Sequence, residues 1–523
     1  MRRVGIFGWG IVAPRSPDIE AFERNLASTE SWLSAFEGFG PSNFLVGQPD
    51  FDFADYKGWI DERFPASRFS QLEKKMGSPT RYAIGAFIQS LRQNPGIEQE
   101  LQALGPQAHV YCGTGLGDLP TIYDCSLELH RAQRRWDRFW ADPERNSALR
   151  AFLAGGEAPA NMPPAPEEVP VAEREEAEDR WWRFWAARSP ELAAYLEELR
   201  AIESLSVEGD VESAKLAVIK EKRVRSAKLQ KKWGAPEAPW NQVSSNLLWN
   251  IHNTPASQIS MMGRITGMTF APVAACSSFG YALGLAMDAI QLGRAKAVVV
   301  GMTDPEPHPL SVGAFYNARV LAADGAVSKP LTGLRGTHVA GGAVVWIVGD
   351  LEYMKGKGFR PLGMEPIGVG LTADADHIIT PSREGPTAAI ELAFEHAGVA
   401  PTDVGSWDLH ATATPGDYLE VETLRCVLPE KVVVTARKGT FGHGMSAGGG
   451  WELTAQYLGY ARGVLYPTPL RAEELNAQIA QVHGNFVLDT GCAVPAGVAG
   501  KLSMGIGGIN ACVLSRPLDP AEA

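Results

Sequence analysis

Short apolar segments alternate with helical segments over residues 246–516 of this 523-residue chain. Strands without a polar face are typical of sheets that helices cover on both sides. The alternation therefore predicts an α/β protein with mixed or parallel sheets between layers of helices. The predicted strands are Ala297–Gly301, Ala343–Val348, Val432–Thr435 and Ala511–Ser515, and the predicted helices are Gly280–Leu292, Thr387–His396, Leu419–Leu428 and Gly449–Tyr460.

A shorter stretch of the same kind opens the chain and runs to about residue 124. Its first apolar run ends in Pro14 without a small-residue cleavage site, which favours a buried strand over a signal peptide. A chain of this length is expected to form two similar-sized units or a duplicated core with insertions. The predicted elements of this stretch are the strands Val4–Gly8 and Ala108–Cys112 and the helices Ile19–Leu26 and Pro79–Leu91.

A charged, helix-prone segment rich in Trp separates the two stretches, at about residues 125–242. Arg134–Trp140 and Asp179–Trp185 look like two copies of one motif, with aromatic residues on one helical face. Two interpretations stay open: a helical hairpin packed on the core or on a second subunit, or a lid over a substrate channel. Lys215–Lys232 has eight basic residues and one acidic residue, which predicts a solvated helix face or a docking surface for an acidic partner.

Charge and cysteine usage narrow the class of protein. The net charge of −12 disfavours nucleic acid as the main partner. The six cysteines are scattered and form no C-x-x-C pair, which favours a reducing, cytoplasmic compartment over disulfides or a zinc site. The uncharged run Met268–Met287 is long enough to suggest a membrane span. Its proline and glycines instead predict a strand, a tight turn and a buried helix, so no membrane partner is expected.

Cys276 lies in a small-residue turn, Ala274–Phe279, between the predicted strand Thr269–Val273 and an Ala/Gly-rich helix. Backbone N–H groups and the macrodipole at a helix N-terminus favour a thiolate and can stabilise an oxyanion. By itself the pattern fits either a catalytic nucleophile or a small buried hydrophobic residue, since free cysteine is often the latter.

Three further segments are rich in turn residues. His410 ends a predicted strand within Asp408–Asp417, and His443 lies in the Gly-rich segment Lys438–Gly450. Met504–Asn510 is a glycine-dense loop before the last strand. Taken singly, each is more typical of a structural histidine or a tight turn than of a catalytic site. None has the residue order of a phosphate-binding loop.

The order of the motifs is more informative than any one of them. Cysteine in a small-residue turn, then H-x-T-x-T-P and G-D, then K-x-x-x-G-H, then G-x-G-G-x-N, resembles the β-ketoacyl-acyl-carrier-protein synthases of the elongating, decarboxylating type. The resemblance implies a thiolase-like fold, layered α-β-α-β-α, from two similar halves, 1–352 and 353–523, with the helical insertion in the first. It also implies a homodimer, acyl and malonyl thioesters as substrates, an acyl carrier protein as partner, and no need of a metal or cofactor.

The resemblance implies a role for four catalytic residues. Cys276 matches the acyl-accepting nucleophile, and His410 and His443 match the two histidines that face it. Lys438 matches the lysine that holds the second histidine. Cysteine suits the reaction because it is both a soft nucleophile and a good leaving group. Two neutral imidazoles donating N–H bonds would stabilise the enolate left by decarboxylation, and one such donor is worth roughly 3 kcal/mol.

Five further residues are expected around the substrate. By resemblance, Thr412 and Thr414 position the malonyl arm, and Glu420 is a structural acid. Ile506 and His338 stand where family members usually carry aromatic residues beside the acyl pocket, which predicts an unusual acyl group. The backbone N–H groups of Cys276 and Ile506 are the candidate oxyanion donors during condensation.

Three other classes of function compete with this prediction. A non-catalytic partner subunit is a known fate in the superfamily, although the nucleophile, both histidines and the lysine are present here. A thiolase would need a second catalytic cysteine late in the chain, and the Met504–Asn510 loop has none. A cysteine hydrolase has little support beyond Asp408 and Asp417 near His410. Lys74 and Lys75 are candidate docking residues for the acidic carrier.

Overall fold

Two compact units make up the protein, as seen in a computed structural model that describes residues 2–206, 211–378 and 382–518, except for the side chains of residues 211–214. The larger unit consists of Met1–Pro120 and Leu248–Ala523, and the smaller unit of Thr121–Leu247. Met1, the first residue of the predicted opening stretch, lies outside the described residues.

All strands in the described part of the chain belong to the larger unit, and the helices are shared between the two units. The strands are β1 (Val4–Val12), β2 (Ser34–Ala35), β3 (Leu45–Val46), β4 (Ala108–Thr114), β5 (Thr269–Phe270), β6 (Ala297–Asp304), β7 (Gly342–Asp350), β8 (Met364–Ala373), β9 (Val404–Asp408), β10 (Val433–Thr435), β11 (Val464–Leu465), β12 (Cys492–Ala493), β13 (Val498–Gly505) and β14 (Ile509–Pro517). The helices are α1 (Ile19–Leu26), α2 (Lys57–Arg63), α3 (Ser67–Lys75), α4 (Ser78–Ser90), α5 (Ile97–Ala103), α6 (Leu119–Trp140), α7 (Ser147–Leu153), α8 (Arg174–Ala186), α9 (Pro190–Glu203), α10 (Val211–Trp233), α11 (Pro239–Gln242), α12 (Thr254–Gly263), α13 (Ser278–Gln291), α14 (Pro309–Asn317), α15 (Leu351–Gly356), α16 (Glu384–Ala397), α17 (Gly416–Val427), α18 (Lys438–Phe441), α19 (Met445–Arg462) and α20 (Ala477–Val482).

The two main sheets have one topology. The first has the order β1-β7-β6-β4-β5, and the second, counted from its β8 edge, has the order β8-β14-β13-β9-β10. In both, the first two pairings are antiparallel and the last two are parallel. The predicted α/β fold of two similar halves is therefore confirmed, while the boundary between residues 352 and 353 stays a prediction.

Helices lie on the outer faces of the sheets and between them. Helices α4 and α12 pack against the first sheet, α16 packs against the second, and α13 and α19 contact each other and strands of both halves. Along β1, Ile6, Trp9 and Ile11 join one buried cluster, and Phe7 and Val12 join another. Burying both faces stabilises the layered core, since each large apolar side chain contributes about 1.5–3 kcal/mol.

The smaller unit has an aromatic core of its own. Trp136 and Trp140 of the first Trp-rich motif and Trp185 of the second are buried among its helices. The side chain of Asn146 donates hydrogen bonds to the carbonyls of Trp140 and Trp185, at 2.9 and 2.8 Å. The repeated motif thus builds the interior of the smaller unit, whose described residues form the helices α6–α11 in place of the predicted hairpin. The basic run forms part of α10.

The run Met268–Met287 forms the short strand β5, a turn and α13, as predicted. No helix among residues 2–206, 211–378 and 382–518 is long and apolar enough to cross a bilayer. The predicted glycine-dense loop is the tight turn between antiparallel strands β13 and β14. The cytoplasmic location stays a prediction.

Candidate active site

Two strained residues mark the N-termini of the central helices. Ala275, in the short turn that contains Cys276 and leads into α13, has φ +48°, and Met445, the first residue of α19, has φ +47°. A left-handed conformation in a residue with a side chain costs on the order of 1–3 kcal/mol and is kept where the surroundings enforce it. In the chain, α13 comes after the edge strand β5 and α19 comes after the edge strand β10, so the two sharp turns occupy equivalent places in the two halves.

The N-termini of α19 and α13 differ in whether a carboxylate binds there. At α19, the backbone N–H and the hydroxyl of Ser446 donate to the carboxylate of Asp304, the last residue of β6, at 2.7 and 2.5 Å. At α13 the corresponding strand, β13, ends in Gly505, which packs against Cys276 and supplies no carboxylate. A Cβ atom at Gly505 would lie 3.2 Å from the nitrogen of Cys276. No carboxylate of β13 therefore occupies the turn at Cys276, in contrast to the turn at Ser446.

A cavity of about 510 Å³ brings the predicted catalytic side chains together. Cys276, His410 and His443 all line it, together with Thr412 and Thr414. The sequence did not indicate the apolar part of the wall, because it comes from segments that carry no motif. That part is formed by Ala314, Phe315, Ala318, Val320 and Ile378.

The two histidines form a buried pair. The ring centroids of His410 and His443 are 5.4 Å apart, with an interplanar angle of 82°. Burial lowers the pKa of both imidazoles well below the usual value, and the charge of Lys438 lowers them further. Both are therefore neutral at physiological pH and carry one N–H each. Among the described residues, the buried Nδ1 of His443 has no hydrogen-bond partner.

The backbone around His410 is held by charged side chains. The carboxylate of Glu420 accepts the N–H groups of His410 and Ala411, at 2.6 and 2.7 Å, which agrees with the expected structural role. Burial raises the pKa of Glu420 to about 7. Lys438 was expected to hold His443, but its ammonium donates to the carbonyl of His410 and to Glu452 instead. Lys438 thus acts on the first histidine of the pair.

The thiol of Cys276 differs from the expected thiolate. Burial raises its pKa to about 11, and the Ile506 N–H and the charge of Lys438 offset that only in part. The desolvation of a fully buried sulfur therefore outweighs the favourable helix end. Hydrogen bonding from the N–H groups of Ile506 and Cys276 lowers the pKa of this thiol in part, and their role as oxyanion donors stays a prediction.

The segment after His410 forms a compact turn around one carboxylate. Asp417 accepts the N–H groups of Thr412 and Ala413, at 2.8 and 3.1 Å. The hydroxyl oxygens of Thr412 and Thr414 are 2.9 Å apart. The expected substrate-positioning hydroxyls therefore sit on a rigid turn at the cavity wall.

Two family-specific sequence models match this chain. One, Beta-ketoacyl synthase, N-terminal domain, covers residues 220–352, and the other, Beta-ketoacyl synthase, C-terminal domain, covers residues 365–470. The chain belongs to the β-ketoacyl synthase family. The first matched region contains Cys276, and the second contains both histidines and Lys438.

Individual proteins with a similar sequence or structure include other β-ketoacyl synthases. The 3-oxoacyl-[acyl-carrier-protein] synthase 2 of Rhizobium meliloti is 28% identical over 275 residues, which is 50% of this chain and 64% of that protein. The chain thus spans less than two thirds of the relative's length. The structure titled "The ishigamide ketosynthase/chain length factor" covers 99% of this chain and 100% of its own, with a TM-score of 0.68 and 18% identity. A β-ketoacyl synthase from Burkholderia phymatum has the same coverage, with a TM-score of 0.66 and 17% identity. These likenesses confirm the thiolase-like fold.

In this member of the β-ketoacyl synthase family, His338 does not line the cavity. Its Nε2 accepts the N–H of Ser328 at 2.8 Å, and its Nδ1 lies 3.0 Å from the carbonyl of Leu45. Its own carbonyl accepts the N–H of His443 at 2.7 Å. The structure therefore places His338 in support of the His443 loop and not in the predicted contact with the acyl chain. Ile506 does line the cavity, and it is 45% exposed.

The remaining predicted residues of this family member lie away from the cavity. Lys74 and Lys75 end α3, and the ammonium of Lys75 lies 5.9 Å from the ring centroid of Trp249. Neither lysine lines the cavity, and their docking role stays a prediction. Sequence reasoning also missed Glu452 and Lys501, buried charged residues close to His410, because neither belongs to a recognised motif.

Proposed function

We propose that the protein is an active β-ketoacyl-acyl-carrier-protein synthase in fatty-acid or polyketide-type synthesis. It joins a malonyl unit to an acyl group held on Cys276. The observation that carries this proposal is the convergence of one thiol, two neutral imidazoles and two oxyanion N–H donors on a single cavity.

The first half-reaction loads the enzyme. The sulfur of Cys276 attacks the carbonyl carbon of an acyl thioester, and the N–H groups of Cys276 and Ile506 stabilise the oxyanion. The carbon–sulfur bond to the carrier then breaks, and the proton of the Cys276 thiol ends on the departing carrier thiol. Because burial raises the pKa of this thiol, the proton leaves together with, and not before, the attack.

The second half-reaction forms the carbon–carbon bond. Malonyl thioester loses CO2, and the electron pair of the broken bond becomes an enolate whose oxygen accepts N–H bonds from His410 and His443. The enolate carbon attacks the acyl carbon, and the bond to Cys276 breaks. The released thiolate takes a proton from solvent, and the β-ketoacyl chain stays on the carrier. Neutral imidazoles suit this step because each must donate a hydrogen bond without giving up its proton.

A homodimer and an acidic carrier protein are the proposed partners. The strand β5 lies at the edge of the first sheet, beside the exposed side chains of Met268 and Val273. An unpaired edge with apolar neighbours supports pairing with a second copy. The neighbouring structures also include ketosynthases described with a chain length factor, which makes a non-catalytic partner subunit the second candidate.

Acyl-enzyme mass and CO2 release distinguish the two candidates. Wild type and Cys276→Ala are incubated with malonyl-carrier and a panel of acyl donors. We expect an acyl adduct and a β-ketoacyl product with wild type, and no adduct with the variant. The absence of both adduct and CO2 with every donor would refute the enzymatic proposal and favour a partner subunit.

A further inference from the structure

Lys501 is a buried cation outside every sequence motif. It lies within β13, and its side chain is 1% exposed. Removing an ammonium group from water costs several kcal/mol unless partners compensate. The partners of Lys501 therefore show what its charge is used for.

Those partners surround the strand end that carries His410. The Lys501 ammonium donates to the carbonyl of Leu409 at 3.2 Å. It pairs with Glu452 at 2.9 Å, and lies 3.6 Å from Asp408. Asp408 and Leu409 are the two residues directly before His410, so Lys501 contacts the same short segment from the neighbouring strand.

Glu452 joins two lysines that bind successive carbonyl groups. One of its carboxylate oxygens is 2.6 Å from Lys438, and the other is 2.9 Å from Lys501. Lys438 donates to the carbonyl of His410, and Lys501 donates to the carbonyl of Leu409. Charge-assisted bonds of this kind are stronger and shorter than neutral ones. We propose that Lys501 is a second positioning residue for His410, which fixes its peptide and adds positive charge beneath the decarboxylation site.

The charges around His410 agree with this role. The charge of Lys501 lowers the pKa of both His410 and His443, in addition to the larger effect of burial. A nearby cation thus disfavours imidazolium and keeps both rings as neutral donors. The charges that act on His410 are those of Lys438, His443 and Lys501. The titratable groups that line the cavity with His410 are Cys276, Asp417, Glu420 and His443. Behind them, Asp408 and Glu452 pair with Lys501, and Arg437 pairs with Asp408.

The pH dependence of decarboxylation tests the proposal, which rests on the proposed synthase function. Lys501→Met keeps the length of the side chain and removes its charge, and Lys501→Arg keeps the charge. Lys296→Met is the matched control, because Lys296 pairs with Asp350 and does not line the cavity. CO2 release from malonyl-carrier and acyl-adduct formation on Cys276 are measured for each variant across pH.

We expect Lys501→Met to slow CO2 release about tenfold, as small displacements of a catalytic group do. The acid limb of its pH profile should move up by about one pH unit, the size of effect expected for losing a nearby charge. Acyl-adduct formation should persist, because it does not use His410. Lys501→Arg should restore the acid limb, and Lys296→Met should match wild type.

Each result separates the two proposals. If wild type forms no adduct and releases no CO2, the synthase function fails. If wild type is active and Lys501→Met has the same rate and acid limb, the positioning role fails. Should Lys501→Met not fold, Lys501→Gln decides: its amide can still donate to the carbonyl of Leu409 but carries no charge, so the acid limb should move to higher pH. An unchanged or opposite shift would overturn the proposal.

Discussion

Substitution of Gly505 by Ala tests whether the open N-terminus of α13 stabilises the oxyanion. Gly505 has no positive φ, so Ala meets no backbone strain there. Its new Cβ would lie 2.9 Å from the carbonyl oxygen of Ala274 and 3.2 Å from the nitrogen of Cys276. Both distances are shorter than ordinary van der Waals contacts. Both neighbouring atoms belong to the backbone, so no flexible side chain can move aside. The β13–β14 turn and the turn before Cys276 must therefore move apart by a few tenths of an ångström.

This movement would displace the two proposed oxyanion donors from each other. One N–H belongs to Cys276, and the other belongs to Ile506, which follows Gly505 in the β13–β14 turn. Losing one oxyanion donor typically slows a reaction by about 10²–10³-fold, or roughly 2.7–4 kcal/mol. A partial displacement should cost less. We expect acylation of Cys276 to slow by about 10–100-fold in Gly505→Ala, on the scale of that donor loss.

The assay follows acyl-adduct formation by mass under single-turnover conditions, alongside CO2 release from malonyl-carrier. CO2 release depends on the histidine pair and should change far less than acylation. Gly484→Ala is the control, because a Cβ at that position meets open space. An acylation rate equal to wild type, or an equal loss in both half-reactions, would contradict the assigned role of this turn.

Three other expectations follow from the structure. Ile506→Phe restores the aromatic residue usual in the family at an exposed position of the cavity wall, and should narrow the range of accepted acyl donors; an unchanged range would exclude Ile506 as a determinant. Asn146→Ala removes three buried hydrogen bonds in the smaller unit and should cost roughly 3 kcal/mol of unfolding free energy by denaturant titration. The exposed control Ser126→Ala should have almost no effect. Burial raises the pKa of Glu420 from 4.5 to about 7, so the folded state binds more protons between those values and stability should fall as pH rises through them. Glu420→Gln should reduce the pH dependence of the free energy of unfolding over this range. An unchanged pH dependence would show that other groups cause it.

The sequence predicted those parts of the site that depend on local pattern. Cys276 stands in a small-residue turn at a helix start, and the family resemblance carried by the order of the later motifs implied that His410 and His443 face it. Most strands and helices were also predicted to within a few residues, because buried strands and helices leave a clear apolar pattern.

The parts that failed depend on long-range packing. Lys501 follows no motif, and only the parallel pairing of β13 with β9 brings it to Leu409. His338 stands where an aromatic residue is usual, but its hydrogen bonds to Ser328 and Leu45 come from two distant segments. The pKa of Cys276 also depended on burial, which a local pattern at a helix end does not show.

The N-termini of α13 and α19 differ although the two halves share one topology, and this difference can explain why only one of them carries the proposed nucleophile. Asp304 of the first half provides a carboxylate that binds Ser446 at the start of α19, in the second half. Gly505 of the second half leaves the matching place at Cys276, in the first half, for the anion that would form in the proposed reaction. Under the proposed function, the asymmetry between the two halves therefore depends on the last residue of β6 and the last residue of β13, since the two sheets otherwise share one topology.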